Sequence, residues 1–433
     1  MRITFPYGRT TLSENVPESL TQSAELDILR PSYPSTEWSP EGLPALLESP
    51  ISAPAFSEFL TGADSLLVVL SDHTRPVLYD RWLPALVSFA LSVRSQLRIT
   101  FLVATGTHPP ESVAPGDILP SSLSGRFPAI VHSADPGGAT DTRFASLGTT
   151  SRGTPVSVNR LLLETDRILA TGAVNFHYYA GFTGGRKALV PGCASRSTIE
   201  ANHSLVLSLL PSRGRHPQAR STYLALNPVS EDLAEAVSLL PTRVFMVNAI
   251  VSPDRRLLSL VAGGLGRAHR FASSLLLAWG DVPVSRPYDL VIASAGGYPH
   301  DISYYQAHKA FDAVHRIVSP GGRVILLAQM PNGIGDTALA DALAVDSLSA
   351  LEEQLRSRFD HAVQIAFSHR YKLLAATLCL VTDLPPESGE TMGAFIAPDI
   401  PGALATLGGF RPQSIAVVPS AAGLHFSGVA ARQ

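Results

Sequence analysis

What most restricts the fold of this chain is a recurring unit: a short apolar run bounded by turn-forming residues, followed by a stretch with helical periodicity. Leu66 to Leu70 reads as a buried strand, Leu78 to Val93 as an amphipathic helix and Ile99 to Val103 as the next strand, one βαβ unit. Ile168 to Thr171 adds a strand, Thr198 to Leu210 a helix and Val244 to Val251 a further strand. A polar, Arg-rich stretch from Pro211 to Thr222 reads as an exposed loop. The segment DVPVSRP near Pro283 to Pro287 reads as a linker, because the alternation restarts after it. Leu290 to Ser294 is then a strand, Tyr304 to Ile317 a helix, and Val324 to Ala328 a strand following the SPGGR turn. The expected fold class is α/β, with two α/β domains built on mostly parallel sheets. The first spans residues 1–282 and the second 288–394, and the closing segment 395–433, a short helix and one strand, is expected to return to the first.

Bulk properties narrow the function classes. A chain of 433 residues holds about two or three domains. Its 45% hydrophobic and 16% charged content fits a packed globular protein rather than a disordered one. A net charge of -3 gives no reason to expect nucleic acid. Two cysteines, Cys193 and Cys379, form no disulfide framework and suit a reducing cytosol. The start, MRITFPYGRTTL, lacks the apolar core of a signal peptide, and no later stretch reaches the roughly 18 apolar residues of a spanning helix. The expectation is a soluble cytoplasmic protein with neither nucleic acid nor membrane as partner.

In open α/β sheets ligands collect beyond the carboxyl ends of the strands. SDHTRP follows the strand ending at Leu70, TGTHPP the strand ending at Val103, and NFHYYAGFTGGRK the strand through Thr171. Three strand ends thereby deliver Asp72, Arg75, His108, His177 and Lys187 to one rim. In the loop GFTGGRKALVPG, Gly184 and Gly185 permit close backbone approach to a ligand, and Arg186 offers a phosphate contact. The spacing is neither the P-loop nor the dinucleotide pattern, and a tight surface turn with solvated Arg186 and Lys187 is the structural alternative. Neutral imidazole moves protons near pH 7, so His108 and His177 on separate loops suit acid and base duty on opposite faces of one substrate. Each alone would more often be a loop histidine bonded to backbone.

Asp72 and Thr74 are placed to cap a following helix with Pro76 in its first turn, while Arg75 at that helix start fits a carboxylate or phosphate. His203 lies in the second turn of a helix whose start is marked by a capping box, Ser197 and Glu200, and it leans back toward the Lys187 loop. In GGYPHDISYYQAHKAFDAV, the residues Tyr304, Ala307, Phe311 and Val314 mark a core face, leaving Tyr305, Gln306 and Lys309 on adjoining faces. Gln306 is alternatively a capping-box partner of Ser303, and Lys309 a solvated lysine. The other ten histidines read as structural or exposed.

Taken in order, SDHTRP, TGTHPP, NFHYYAGFTGGRKALVPG, EANHS and YYQAHKA resemble the motifs of the nickel-dependent lactate racemase family, over most of the chain. The resemblance implies an active-site cleft between the two domains. It implies that Lys187 is joined through a thioamide to a nickel-pincer nucleotide, a pyridinium-3,5-bisthiocarboxylic acid mononucleotide, with His203 completing the nickel coordination. It implies as well that separate biosynthetic enzymes supply that cofactor. Asp72 would contact it, as would Gly184, Gly185 and Arg186; His108 and His177 would be the paired acid and base. Arg75, Gln306 and Lys309 would hold a 2-hydroxy acid substrate, with Tyr305 beside them. The implied reaction inverts C2 by proton-coupled hydride transfer through a 2-keto acid. Lactate-acting members place a second-domain tryptophan near the substrate, whereas Trp38, Trp82 and Trp279 here all precede the expected linker. Phe359, Phe367 or Tyr371 would substitute, and a larger hydroxy acid or sugar acid stands beside lactate as the expected substrate. Two other readings of the residues remain: a lyase or transferase with Lys187 as Schiff-base or phosphate-binding residue, and a non-enzymatic binder of hydroxy acids or nucleotides.

Overall fold

The structure is a computed structural model describing residues 2–15, 24–135, 137, 142–210 and 214–428. These residues form two compact units, one of Tyr33–Leu209 with Arg215–Trp279, the other of the residues up to Ser32, Leu210 and Gly214, and those from Gly280 onward. The first unit holds a six-stranded sheet in the order Leu257–Gly263, Arg243–Val251, Arg167–Ala173, Ser65–Ser71, Arg98–Ala104, Ala129–Val131. All pairings are parallel except that of the edge strand Leu257–Gly263. The central strand is apolar on both faces because both are covered: Leu66 through Leu70 are all at most 1% exposed. On one face Leu66, Val68 and Leu70 pack in a cluster with Trp82, Leu83 and Leu86, and with the rings of Phe56, Phe59 and Phe245. Fully buried side chains of this kind contribute about 1.5–3 kcal/mol each.

From Ser65–Ser71 the chain first builds outward through Arg98–Ala104 to Ala129–Val131, then crosses to the other side for Arg167–Ala173 and Arg243–Val251. The order therefore reverses between Ser65–Ser71 and Arg167–Ala173, and their carboxyl ends flank the crevice where doubly wound sheets bind ligands. The strands are stitched there by side chains. Thr171 Oγ1 donates to the Val69 carbonyl at 2.6 Å, and Tyr79 Oη, 2.8 Å from Thr171 Oγ1, accepts the Ser71 amide at 2.8 Å.

Two local expectations are corrected in this unit. No helix starts at Asp72; residues 72–78 are irregular, a single 3-10 turn follows at Tyr79–Arg81, and the helix proper is Leu83–Val93. The helix carrying His203 is Arg196–Ser204, shorter than expected, and its cap is Ser195, which accepts the Thr198 amide, rather than Ser197. His203 accordingly sits in the last turn, not the second. The expected loop from Pro211 begins in residues 211–213, outside the described residues, and from Gly214 to Thr222 it carries no helix or strand.

The other unit has a second six-stranded sheet, all parallel, in the order Phe395–Ala397, Ala376–Val381, Val318–Leu327, Tyr288–Ser294, Ser414–Val418, Glu25–Ile28. Its membership corrects the expected boundaries. The closing segment does not return to the first domain, since Ser414–Val418 pairs with Tyr288–Ser294. Nor do the first residues belong with the first unit: Glu25–Ile28 completes this sheet, and Ile3, Phe5 and Tyr7 enter its core beside Leu290, Ile292 and Val417. The expected linker is partly strand, because Asp281–Pro283 pairs with His425–Ser427. Periodicity reveals a strand but not its partner, and the edge of Ser414–Val418 would otherwise present unpaired amides.

Candidate active site

The SDHTRP and TGTHPP loops meet through one carboxylate. Asp72, 5% exposed, accepts the Thr74 amide and hydroxyl on Oδ1 at 3.0 and 2.5 Å, a tight side-chain turn in place of the expected cap. Its Oδ2 takes His108 Nδ1 at 2.5 Å. Burial works to raise the Asp72 carboxyl, but the hydrogen bond and charge of His108, the charge of Arg75 and the Thr74 hydroxyl outweigh it and hold it at about 2. An ionised carboxylate only accepts, so His108 Nδ1 carries a proton, and whenever the ring is neutral its lone pair is on Nε2.

The glycine loop is shaped by the protein's own side chains. Gly184 and Gly185 have φ of +76° and +55°; a Cβ on the first would lie 2.8 Å from Asn248 Oδ1, and on the second 2.7 Å from the His269 ring. Asn248 Oδ1 accepts the Gly185 amide at 2.7 Å, and His269 Nε2 donates to the Thr183 carbonyl at 2.8 Å. Burial draws His269 down to about 4, so it serves as a neutral prop. Arg186, half-buried, donates to Ser230 Oγ at 2.6 Å and is lowered to about 10 by burial, then by Arg270. Lys187 is half-buried, and its amine falls to about 7 through burial, then through the charges of Arg75 and Arg186. The loop is tied to its neighbour, for the Gly106 amide of TGTHPP donates to the Gly192 carbonyl at 3.1 Å.

Three of the singled-out residues converge on Tyr179, which is 4% exposed. The His177 and His203 rings stand edge-on to it at centroid separations of 4.5 and 5.2 Å, and Lys187 Nζ lies 6.0 Å from its centre. His177 Nδ1 accepts the Ala180 amide at 3.1 Å, which leaves the proton of the neutral ring on Nε2. In their neutral forms the two histidines are thus opposite tautomers, His108 with a bare Nε2 and His177 with a protonated one. Asp72, Arg75, His108, His177, Gly184, Gly185, Arg186, Lys187 and His203 all belong to the first unit.

Tyr305, Gln306 and Lys309 belong to the other unit, on the helix Tyr304–Val314. As expected, Tyr304, Ala307, Phe311 and Val314 are buried while those three are half-buried. Ser303 caps the helix without a side-chain bond, so Gln306 is no capping-box partner; its Oε1 accepts Lys309 Nζ at 2.5 Å. Behind the helix His369 Nδ1 lies 2.5 Å from Tyr304 Oη, and the buried Lys372 pairs with Asp312 at 3.2 Å. Trp82 is a core residue of the first unit, and Phe367 stacks on Tyr371 at 6.5 Å.

Sequence reasoning missed Tyr179, Asn248, Asn202 and Asp232. Tyr179 and Asn248 carry no signal until their partners are known, and Asp232 reads as an ordinary helix carboxylate, although the adjacency of Asn202 to His203 was visible.

A doubly wound sheet with a charged, histidine-bearing rim at its switch point defines an α/β enzyme. Residues 7–212 match the lactate racemase N-terminal domain and residues 284–406 the lactate racemase C-terminal domain. The chain belongs to the lactate racemase family and is an isomerase. It is 28% identical over 344 residues to the lactate racemase of Lactiplantibacillus plantarum, covering 79% of this chain and 78% of that one. It is 28% identical over 340 residues to that of Thermoanaerobacterium thermosaccharolyticum, covering 77% and 75%. The structure of the apoprotein from the latter organism superposes with a TM-score of 0.87 at 25% identity, over 99% of this chain and 100% of that one. A Thermotoga maritima protein shares the fold, with a TM-score of 0.60 at 18% identity over 90% of this chain and 99% of that one. Among the described residues no helix is long and apolar enough to cross a membrane.

Proposed function

We propose that this protein inverts C2 of a 2-hydroxy acid, using a nickel-pincer nucleotide attached at Lys187. The observation that carries the reading is the gathering of the His177 and His203 rings and the Lys187 amine around Tyr179. The residues fit the cofactor. An amine near 7 is substantially uncharged at neutral pH, as bond formation to a thiocarboxyl group requires. Arg75 and Arg186, which already depress that amine, would meet the anionic charge of a nucleotide. Among the described residues no three His, Cys, Asp or Glu side chains gather to hold a metal, so nickel on His203 would need donors from outside the protein, which a pincer supplies.

When bound, the cofactor supplies an acceptor for the C2 hydrogen as hydride. The protein's part is the proton and the carboxylate. His108 Nε2 takes the hydroxyl proton, and the Asp72 carboxylate stabilises the imidazolium that forms. His177, on the other histidine-bearing loop, serves as the acid toward the same oxygen only as the imidazolium, because a neutral ring that gave up its Nε2 proton would be left an imidazolate. Charging the ring puts a proton on Nδ1, so His177 Nδ1 must release the Ala180 amide to take this role. Arg75 is a proposed contact for the substrate carboxylate, and Gln306, Lys309 and Tyr305 of the other unit are proposed substrate contacts as well. The substrate class is 2-hydroxy acids, lactate included, with larger hydroxy acids and sugar acids open to the same chemistry.

The test is production in a host that makes the cofactor, followed by intact mass, metal analysis and assay of C2 inversion on a panel of chiral 2-hydroxy acids and aldonic acids. An adduct at Lys187, nickel, and inversion of at least one panel member are expected. Lys187→Ala abolishes the adduct, whereas His108→Ala keeps the adduct and loses turnover. An unmodified, nickel-free and inactive wild type from such a host overturns the proposal.

A further inference from the structure

Next to His203 lies a buried polar chain that the proposed chemistry leaves unused. Asn202 and Asp232 are both 0% exposed. Asn202 Nδ2 donates to the Val229 carbonyl at 3.1 Å and to Asp232 Oδ2 at 2.8 Å. A backbone carbonyl can only accept, so the orientation of the Asn202 amide is fixed by its surroundings. Its Oδ1 then faces His203 Nδ1 at 3.0 Å. An amide oxygen likewise only accepts, so Nδ1 of His203 must carry the ring proton, and the neutral imidazole keeps its lone pair on Nε2.

Asp232 is itself held. It accepts Thr150 Oγ1 at 2.5 Å and Thr154 Oγ1 at 2.8 Å, both from the turn joining the hairpin strands Phe144–Thr149 and Pro155–Asn159. Thr150 Oγ1 in turn accepts the Thr154 amide at 3.1 Å, so neither hydroxyl is left to rotate away. One carboxylate on the helix Pro228–Ser238 thereby locks the hairpin turn and the amide that faces His203.

We infer that Asn202 and Asp232 are positioning residues that fix His203 in the Nδ1–H tautomer, presenting Nε2 as a donor to nickel. Metal-bound histidines are oriented in this way, by an acceptor on the nitrogen that does not bind. The inference rests on the proposed function for the identity of what Nε2 binds, but not for the tautomer.

The experiment separates the two. In metal-free, 15N-labelled protein, long-range proton–nitrogen correlation reads each imidazole tautomer, and the His203 signals are those lost in His203→Gln. The wild type is expected as Nδ1–H, and Asn202→Ala as predominantly Nε2–H, the form a free imidazole favours. Asp232→Asn, which keeps the volume, shifts the population in the same direction and decides the matter if Asn202→Ala does not fold. A wild-type His203 protonated on Nε2, or an unchanged tautomer in the variants, overturns the inference. With protein from the cofactor-competent host, Asn202→Ala should lose nickel to a chelator about 10- to 100-fold more readily, with the Lys187 adduct mass unchanged. Equal nickel retention overturns the positioning role. A wild type with neither adduct nor nickel overturns the proposed function instead, and the tautomer measurement still stands as the test of this one.

Discussion

Asp72 and Lys187 show how one rim, assembled from separate loops, sets opposite charge states. Asp72 stays ionised because His108, Arg75 and Thr74 outweigh its burial, and Lys187 tends to neutrality because burial and two guanidinium groups act together. Replacing Asp72 with Asn removes the charge that stabilises a protonated His108 and lets its ring take either tautomer. A fall in kcat of about 10²- to 10⁴-fold is expected, with the Lys187 adduct retained, as read by steady-state kinetics and intact mass. Lys187 carries a pH signature in protein without the adduct. Its amine lies near 7 in the fold against an ordinary 10.5, so between those values the unfolded chain binds the additional proton and wild-type stability rises with pH. Denaturant unfolding should therefore find Lys187→Met more stable than wild type at pH 6, by a margin that shrinks toward pH 10. A margin independent of pH removes the assigned cause. His177, Lys187 and His203 were legible as chemistry because a histidine–glycine–lysine run is poor packing material. Tyr179, the ring they share, was not, since a buried tyrosine beside a histidine reads as core.

At the scale of elements, the strands were the most legible parts. Ser65–Ser71 and Arg98–Ala104 extend the expected runs by one residue at each end, because burial on both faces demands continuous apolar sequence. Helix starts were less so. Ser195 and Ser197 both stand at the helix start, but Ser197 is already inside its first turn, and only Ser195 has the extended backbone that lets its hydroxyl reach the Thr198 amide. Asp72 was read as a cap because its competing partner, His108, lies 36 residues away. In the glycine loop, Gly184 and Gly185 leave room for Asn248 and His269, partners that lie too far along the chain to be read from the sequence. Gly185→Ala should therefore cost about 1–3 kcal/mol, since it combines a left-handed backbone with a Cβ 2.7 Å from the His269 ring. Thermal unfolding measures it, and an unchanged midpoint would mean that His269 swings aside freely.

For the whole molecule, the chain's two ends make one unit and its middle makes the other. Which strands alternate with helices was readable, but which sheet an edge strand joins was not, because Glu25–Ile28 and Ser414–Val418 meet across nearly the full length of the sequence. The fragment 33–279 retains the whole of its own sheet and is expected to fold alone, as judged by a cooperative thermal transition. The fragment 280–433 exposes the edge of Ser414–Val418 and lacks Ile3, Phe5 and Tyr7, and is expected to aggregate unless a peptide of residues 1–32 is supplied. A soluble, cooperatively folded 280–433 on its own would contradict that account. Synthesis proceeds from the first residue, so the hairpin Arg2–Tyr7 and Thr10–Asn15 leaves the ribosome long before the sheet it serves exists. The middle unit can close during translation while the amino-terminal segment waits, apolar side chains exposed, for strands made after that unit. Whatever shields that segment in the interval governs the yield of native enzyme, and a chain stalled after Trp279 would display a finished switch-point rim beside an orphaned hairpin.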